Sequence, residues 1–297
     1  MGCMFSGEPQ NNKEHVIPHW LQKRFSLAGK TLYVPNGSKL KYSLACVPVN
    51  DAHNSEFGKI EEKISQGIFD LNEIYLWAFK IHIGMLYRSS SLKADIKIPT
   101  SPMILDIGDF ASEVCFFRTL YKIWRNGGET MPSPLGSVYI FDNLSPNKDF
   151  DFMHCYETGT VCINIGDKFI TVFLWDQEDA QRSGVEEAWT KHHAKIINSI
   201  ADEKEKASHS YMAQHIWVCE SSYWLHRNRR SINFMNTDDS LTLLPSMGLA
   251  QTREADEDEY RSICRSFGLD LVDYNGGVNI VYKQLNMNTY LVENDKA

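Results

Sequence analysis

A β-hairpin signal near the N-terminus restricts what this chain can fold into more than any other local feature. Asn36-Gly37 separates two strand-like runs, 31–34 and 40–49, and Asn-Gly is the strongest short-range signal for a tight hairpin turn. A further short strand is predicted over 12–18. The sequence therefore predicts three short strands within the first 50 residues.

A helical pattern follows the hairpin directly. Phe57, Ile60 and Ile64 recur at the spacing of one helix face, which is typical of a helix packed on a core. Asp51 is the predicted N-cap and Gly67 the predicted C-terminal stop. The local order is therefore strand, hairpin, helix.

The remaining chain alternates helical and strand-like patterns in blocks, which predicts an α+β protein with an antiparallel sheet. Helices are predicted over 71–87, 111–124, most of 185–220 and 260–267; strands over 137–141, 150–156, 160–165 and 169–175; an exposed acidic loop over 236–259; and a final hairpin within 270–282. The predicted domains are an N-terminal module, 1–66, and an α+β accessory domain, 67–297, for sensing or for docking substrate or partner.

The net charge of −8 is unevenly distributed. Residues 1–60 carry seven Lys and Arg against four Asp and Glu, and residues 61–297 carry 23 against 34. A mildly basic N-terminal part on an acidic body is compatible with nucleic acid approaching the former. No apolar run reaches the roughly 20 residues of a membrane-spanning helix, so no membrane partner is predicted.

The seven cysteines show no framework spacing, and their number is odd. With an apolar N-terminal stretch too short for a secretory signal, this pattern predicts reduced thiols and a cytoplasmic protein.

The residues that carry chemistry are Glu14-His15, within the run Lys13 to Pro18, and His53-Asn54 at the start of the predicted helix. An imidazole can take a proton from water near neutral pH. Carboxylate and amide oxygens suit a hard divalent cation. These groups would suffice for one-metal phosphodiester hydrolysis if they meet in space.

In these motifs the first 65 residues resemble the HNH (ββα-metal) endonucleases. The resemblance is to bacterial members in which a zinc knuckle precedes Glu-His-Val/Ile-Ile-Pro and a second knuckle precedes a helical Asn. It covers about a fifth of the chain. It implies that His15 is the general base, that Glu14 and Asn54 hold one Mg²⁺ or Mn²⁺ ion, and that His53 is a further candidate ligand.

The sequence departs from the family at its zinc knuckle. Tetrahedral zinc needs four ligands, usually two Cys-x-x-Cys pairs, whereas this chain has Cys3, Ser6, Asn50 and His53 at the four positions. We therefore expect no structural zinc, and we expect packing from the larger body to hold this region together.

Basic residues mark the predicted nucleic-acid contacts. They lie beside the Glu-His motif and in a cluster that follows Tyr223-Trp224, and they are Lys13, Lys23, Arg24, Arg227, Arg229 and Arg230. Basic side chains next to aromatic rings suit phosphate contact and base stacking. An ordinary surface cluster remains the competing interpretation of 227–230.

The resemblance predicts an endonuclease that hydrolyses DNA in preference to RNA, as an effector of bacterial anti-phage defence. A partner subunit such as a sensor or an ATPase is also expected. Two alternatives stay open at this point. Either the chain is a catalytically inactive adaptor or nucleic-acid-binding protein with the HNH fold, or Glu14-His15 is a surface pair and His53-Asn54 only caps a helix.

Overall fold

The computed structural model describes two compact units. The described residues are 2–34, 36–128, 136–144, 149–176, 179–182, 184, 187, 198–228, 233–236, 241–244, 256–267, 269–274 and 277–284. The first unit comprises Met1–Pro132 and Asn233–Pro245, and the second comprises Ser133–Ile232 and Ser246–Ala297. The predicted boundary after residue 66 thus falls inside the first unit.

Helices and antiparallel sheets make up both units, so the fold is α+β. The strands are β1 (Asn12–His15), β2 (Thr31–Tyr33), β3 (Lys39–Lys41), β4 (Cys46–Val49), β5 (Ser137–Asp142), β6 (Asp151–Cys155), β7 (Thr160–Ile165), β8 (Lys168–Phe173), β9 (Asn233–Asn236), β10 (Leu241–Leu244), β11 (Leu269–Tyr274) and β12 (Gly277–Gln284). The helices are α1 (His19–Arg24), α2 (Asp51–Ser65), α3 (Leu71–Ser89), α4 (Ala111–Arg125), α5 (Asp179–Arg182), α6 (Glu203–Arg227) and α7 (Glu257–Ser266).

The hairpin around Gly37 is confirmed, but its second strand is shorter than predicted. β2 pairs with β3 in antiparallel register from Thr31↔Lys41 to Tyr33↔Lys39, and Gly37 supplies the positive φ of +75° that the turn needs. A 3-10 turn over Tyr42–Leu44 then breaks the predicted strand. The chain beyond it forms β4, which pairs with β1 instead.

The β1–β4 pair positions the first unit's N-terminal segment. Asn12 lies opposite Val49 and His15 opposite Cys46, in antiparallel register. Val47 and Val49 are buried, so this two-stranded ribbon has one face on the core. α2 begins two residues after β4.

The start of α2 differs from the prediction by one residue. Asn50, not Asp51, is the N-cap, and its side-chain oxygen accepts a hydrogen bond from the Ala52 amide at 3.0 Å. Asp51 is the first helical residue, where its negative charge suits the helix dipole. The predicted stop is confirmed, because Gly67 has a φ of +80° and its amide bonds back to Ile64.

α3 is the central helix of the first unit. Nearly every residue from Ile74 to Tyr87 is buried, which is the pattern of a helix covered on all sides. Gly84 lets it approach the residue that follows β1 closely, since a Cβ at this position would lie 3.2 Å from both methyl groups of Val16. α4 packs on α3 through Phe116 and Phe117, whose rings lie 5.9 and 5.7 Å from that of Phe79.

The second unit contains the predicted antiparallel sheet, in the order β5-β8-β7-β6. Its core gathers Tyr139 and Phe173 from the sheet, Trp217 from α6, and Ile263 from α7. β11 and β12 form the predicted final hairpin, although Asn275 and Gly276 lie outside the described residues.

Two downstream predictions have mixed outcomes. The helix predicted within 185–220 is confirmed from Glu203 onward, and residues 185–186 and 188–197 lie outside the described ranges. The loop predicted over 236–259 is wrong at Leu241–Leu244, which pairs with β9, and at Glu257, where α7 begins. Residues 241–244 read Leu-Thr-Leu-Leu, and the polar and acidic residues around this short apolar run obscured it as a strand.

Two further findings concern the cysteines and the apolar helices. All seven cysteines lie in described residues, and no disulfide joins them. Of the helices that the structure describes, none combines the length and the apolar character needed to cross a bilayer.

Candidate active site

Glu14 and Asn54 meet at the end of β1. The Asn54 side chain, on the first turn of α2, hydrogen-bonds to the Glu14 carboxylate. Burial acts to raise the pKa of Glu14, but the charge of Lys80 and hydrogen bonds from Lys80 and Asn54 hold that pKa below its ordinary value. Glu14 is therefore an ionised, half-buried carboxylate beside an amide.

Lys80 is the partner of Glu14 that sequence reasoning missed. Its side chain is 1% exposed, and Nζ donates to Glu14 Oε1 at 2.9 Å, to the His15 carbonyl at 2.9 Å and to Glu61 Oε1 at 3.0 Å. All three donors of the ammonium are thus used, as a buried charge requires. One feature of the sequence could have indicated this role: Lys80 lies within an apolar helical run. A lysine buried there needs carboxylates from other parts of the chain.

Glu61 is the second carboxylate on this ammonium. It lies on α2, seven residues after Asn54, and its side chain is 13% exposed. Burial raises the pKa of Glu61 above its ordinary value, with Lys80 opposing this effect and Glu14 adding to it. Two acidic groups therefore share a single positive charge.

His15 is oriented by the turn that follows β3. One imidazole nitrogen donates to the backbone carbonyl of Ser43, and the ring stacks on that of His19 at 5.6 Å with an interplanar angle of 15°. Burial is the largest effect on the pKa of His15 and lowers it. The Glu14 charge acts to raise this pKa, whereas His19 and Lys80 lower it further. The ring is therefore neutral at pH 7 and fixed in one tautomer.

His53, the further candidate ligand, makes its side-chain contacts with other residues than Glu14. Its Nδ1 lies 3.1 Å from the Tyr121 hydroxyl, and its Nε2 lies 3.6 Å from a carboxylate oxygen of Glu8. Successive residues on a helix point about 100° apart. His53 thus packs toward α4 while Asn54 meets Glu14.

Hydrogen bonds hold the turn at Cys3, one of the four positions at which the sequence was compared with a zinc knuckle. The Cys3 thiol accepts from the Asn50 amide at 3.2 Å, and the Cys3 carbonyl accepts from the Gly7 amide at 2.8 Å. Arg118 of α4 donates to the carbonyls of Cys3 and Met4, both at 3.1 Å. A guanidinium with several fixed donors therefore ties this turn to α4.

Aromatic packing completes the same region. The Phe5 ring lies 5.2 Å from that of Phe57, 5.8 Å from Phe117 and 4.9 Å from Tyr121. Packing with this geometry stabilises beyond the buried area alone. The expected support from the larger body is present, and it comes from α4.

The predicted nucleic-acid residues divide between the two units. Lys13, Lys23 and Arg24 are exposed in the first unit, and Arg24 lies over the Trp20 ring at 4.8 Å. Arg227 ends α6 in the second unit, over the ring of Tyr223 at 5.7 Å. Arg229 and Arg230 lie outside the described residues.

Few protein ligands for a hard cation lie at this site. Within the described ranges, no three His, Cys, Asp or Glu side chains cluster as a metal site. One carboxylate and one amide oxygen remain, from Glu14 and Asn54. This set suits Mg²⁺ or Mn²⁺ because Mg²⁺ commonly binds through one or two protein oxygens, waters and substrate phosphate.

Comparisons with known proteins identify no relative: no family model, curated protein or solved structure is significantly similar to this chain.

Proposed function

We propose that this chain is a divalent-cation-dependent endonuclease that hydrolyses phosphodiester bonds at Glu14, His15 and Asn54. The observation that carries the proposal is the pairing of an ionised carboxylate with an amide, next to an imidazole whose tautomer is fixed by a backbone carbonyl. A neutral imidazole, an acidic oxygen ligand and an amide ligand match the needs of one-metal phosphodiester hydrolysis.

His15 acts as the general base. The Ser43 carbonyl accepts from one ring nitrogen, so the lone pair of the other nitrogen can take a proton from the attacking water. The imidazolium that forms is stabilised by the same carbonyl and by the neighbouring Glu14 carboxylate.

Glu14 and Asn54 hold the cation. When bound, the ion supplies charge neutralisation at the scissile phosphate and stabilises the leaving oxygen. Exposed Lys13, Lys39 and Lys41, on β1 and β3, provide positive charge in the same N-terminal segment, which favours approach of a phosphate backbone. The preference for DNA, the role in anti-phage defence and the sensor or ATPase partner stay predictions.

The test compares cleavage by the wild type with that by His15→Ala and Asn54→Ala. Purified protein is incubated with plasmid DNA, or with RNA, in Mg²⁺ or Mn²⁺. We expect His15→Ala to lower the cleavage rate by about a hundredfold or more, since general-base contributions are of that order. Asn54→Ala should also lower the rate, because it removes a proposed cation ligand. Asn126→Ala, at the exposed end of α4, is the matched control, and circular dichroism checks folding.

Equal cleavage by wild type and both site variants would contradict the assignment. No cleavage with either cation and either polymer favours the non-catalytic adaptor. In that case nucleic-acid binding at low salt distinguishes a binding protein from one without nucleic-acid affinity.

A further inference from the structure

The Lys80 ammonium lies in a cage of three oxygen atoms. Glu14 Oε1, Glu61 Oε1 and the His15 carbonyl surround Nζ at 2.9 to 3.0 Å. Two carboxylates and a carbonyl are ligands that a hard metal ion also prefers. The lysine therefore acts as a resident cation beside the proposed metal ligands.

The fold holds this ammonium in place. Gly84 brings α3 against Val16, which follows Glu14-His15. Lys80 precedes Gly84 by four residues and so lies on the same helix face, one turn away. The Lys80 side chain is 1% exposed, so its ammonium is held among these oxygens and away from bulk water.

We propose that Lys80 makes binding of the divalent cation depend on binding of the nucleic-acid phosphate. This inference rests on the proposed function and adds a rule for its metal site. Lys80 already neutralises Glu14, so a divalent cation that binds Glu14 is repelled by the adjacent ammonium. Only one carboxylate and one amide are present to hold that cation. A phosphate of the substrate supplies the missing negative charge and oxygen ligands.

The coupling must be reciprocal. If the phosphate tightens cation binding by some factor, the cation tightens phosphate binding by the same factor. We expect a factor of about tenfold or more, within the usual range for two coupled ligands. In the absence of nucleic acid, the protein should bind the cation weakly.

The experiment measures free Mn²⁺ by electron paramagnetic resonance during titration of the full chain. Each protein is titrated alone and with a phosphorothioate oligonucleotide that resists hydrolysis. The variants are Lys80→Met and Glu61→Gln. The matched control is Lys63→Met, because the Lys63–Glu73 pair, at 2.7 Å, is a lysine–glutamate pair outside the site.

The two site variants should change Mn²⁺ affinity in opposite directions. Lys80→Met removes the resident charge and frees both carboxylates, so Mn²⁺ should bind about tenfold more tightly without oligonucleotide, and the oligonucleotide should add little. Glu61→Gln leaves Lys80 paired with Glu14 alone, so Mn²⁺ should bind more weakly than to wild type. General damage to the fold would weaken binding in both variants.

The results separate this inference from the function beneath it. Two results would overturn the coupling while cleavage activity stands. The first is tight Mn²⁺ binding by wild type without oligonucleotide, and the second is Mn²⁺ binding by Lys80→Met that is no tighter than by wild type. If wild type neither binds Mn²⁺ with oligonucleotide nor cleaves, the proposed function fails and the coupling with it. If Lys80→Met does not fold, Glu61→Gln decides. Mn²⁺ binding by Glu61→Gln that is as tight as or tighter than by wild type would overturn the coupling.

Discussion

At the scale of single residues, the environment of His15 sets the pH range of the proposed chemistry. Only the neutral imidazole can accept a proton from water. Burial, together with the positive charge of His19 and Lys80, lowers the pKa of His15 from its ordinary value of 6.5, despite the opposing Glu14 charge. The base is therefore available at a lower pH than an exposed histidine would be.

The cleavage rate should rise with pH through a pKa below 6.5 and reach a plateau near neutrality. In His19→Ala, the stacked ring and its charge are lost, so the midpoint of this rise should move to higher pH. Rates measured from about pH 5 to pH 8 at fixed Mn²⁺ check both statements. A midpoint above 6.5 in the wild type would contradict the assignment of His15 as the base.

The candidate groups of the proposed site were easier to select from the sequence than the residues that support them. Glu14, His15 and Asn54 could be selected because their chemistry is local to two short motifs. Lys80 contacts Glu14 across a separation of 66 residues, and one sequence offers no means to pair them. The contacts of His53 depend on the packing of α2 against α4, which one sequence does not reveal.

At the scale of elements, α3 is the support against which the site is built. Its Gly84 lies against Val16, and Val16 is fully buried. A β-branched side chain in such a position has little freedom to move aside. The spacing of α3 and β1 is therefore set by the missing Cβ at residue 84.

Gly84→Ala should lower the free energy of unfolding by about 1–2 kcal/mol, since overpacking outweighs the gain in helix propensity. In a Val16→Ala background, which removes the methyl groups in contact, Gly84→Ala should be less destabilising. A double-mutant cycle measured by urea denaturation checks this. Gly58→Ala in α2 is the control: apart from the adjacent residues and the helix's own backbone, no atom lies within 4 Å of its added Cβ, so it should stabilise by up to about 1 kcal/mol. Equal effects at the two glycines would contradict the close approach.

Elements with strong periodicity were predictable, and those that depend on distant pairing were not. The patterns at α3, α4 and the four-stranded sheet are local, and the structure confirms them. β4 was merged into the hairpin because its partner, β1, lies more than 30 residues upstream. β10 was missed because its run of four residues, Leu-Thr-Leu-Leu, is short and lies within a largely polar and acidic stretch.

At the scale of the whole molecule, the second unit contains a buried histidine that makes it sensitive to acid. His215 is 2% exposed, with Nδ1 donating to the Phe267 carbonyl at 3.2 Å and Nε2 lying 3.8 Å from Asp151. Burial lowers the pKa of His215, with the Asp151 charge and the Phe267 carbonyl opposing this effect. The folded unit therefore holds the neutral ring.

Below the ordinary pKa of 6.5, the unfolded chain takes up a proton that the folded unit resists. The stability contribution of the neutral ring is thus complete above pH 6.5 and is lost as the pH falls, by about 1.4 kcal/mol per pH unit until the folded form also protonates. Hydrogen exchange of the β7 amides at pH 7 and pH 5 measures this loss. His215→Asn keeps a hydrogen-bond donor for the Phe267 carbonyl but has no titrating ring, so it should lose less stability between pH 7 and pH 5 than the wild type does. An equal loss in the two proteins would contradict the role of His215.

The bond between Arg118 and the Cys3 carbonyl joins residues 115 positions apart in sequence, and this separation has a consequence for synthesis. A growing chain emerges from the ribosome N-terminus first, so the turn at Cys3 is made long before the arginine that fastens it. The residues around Glu14 must wait for Lys80 in the same way. We therefore expect nascent chains that end before α4 to lack the contact that ties the Cys3 turn in place, and with it the proposed activity.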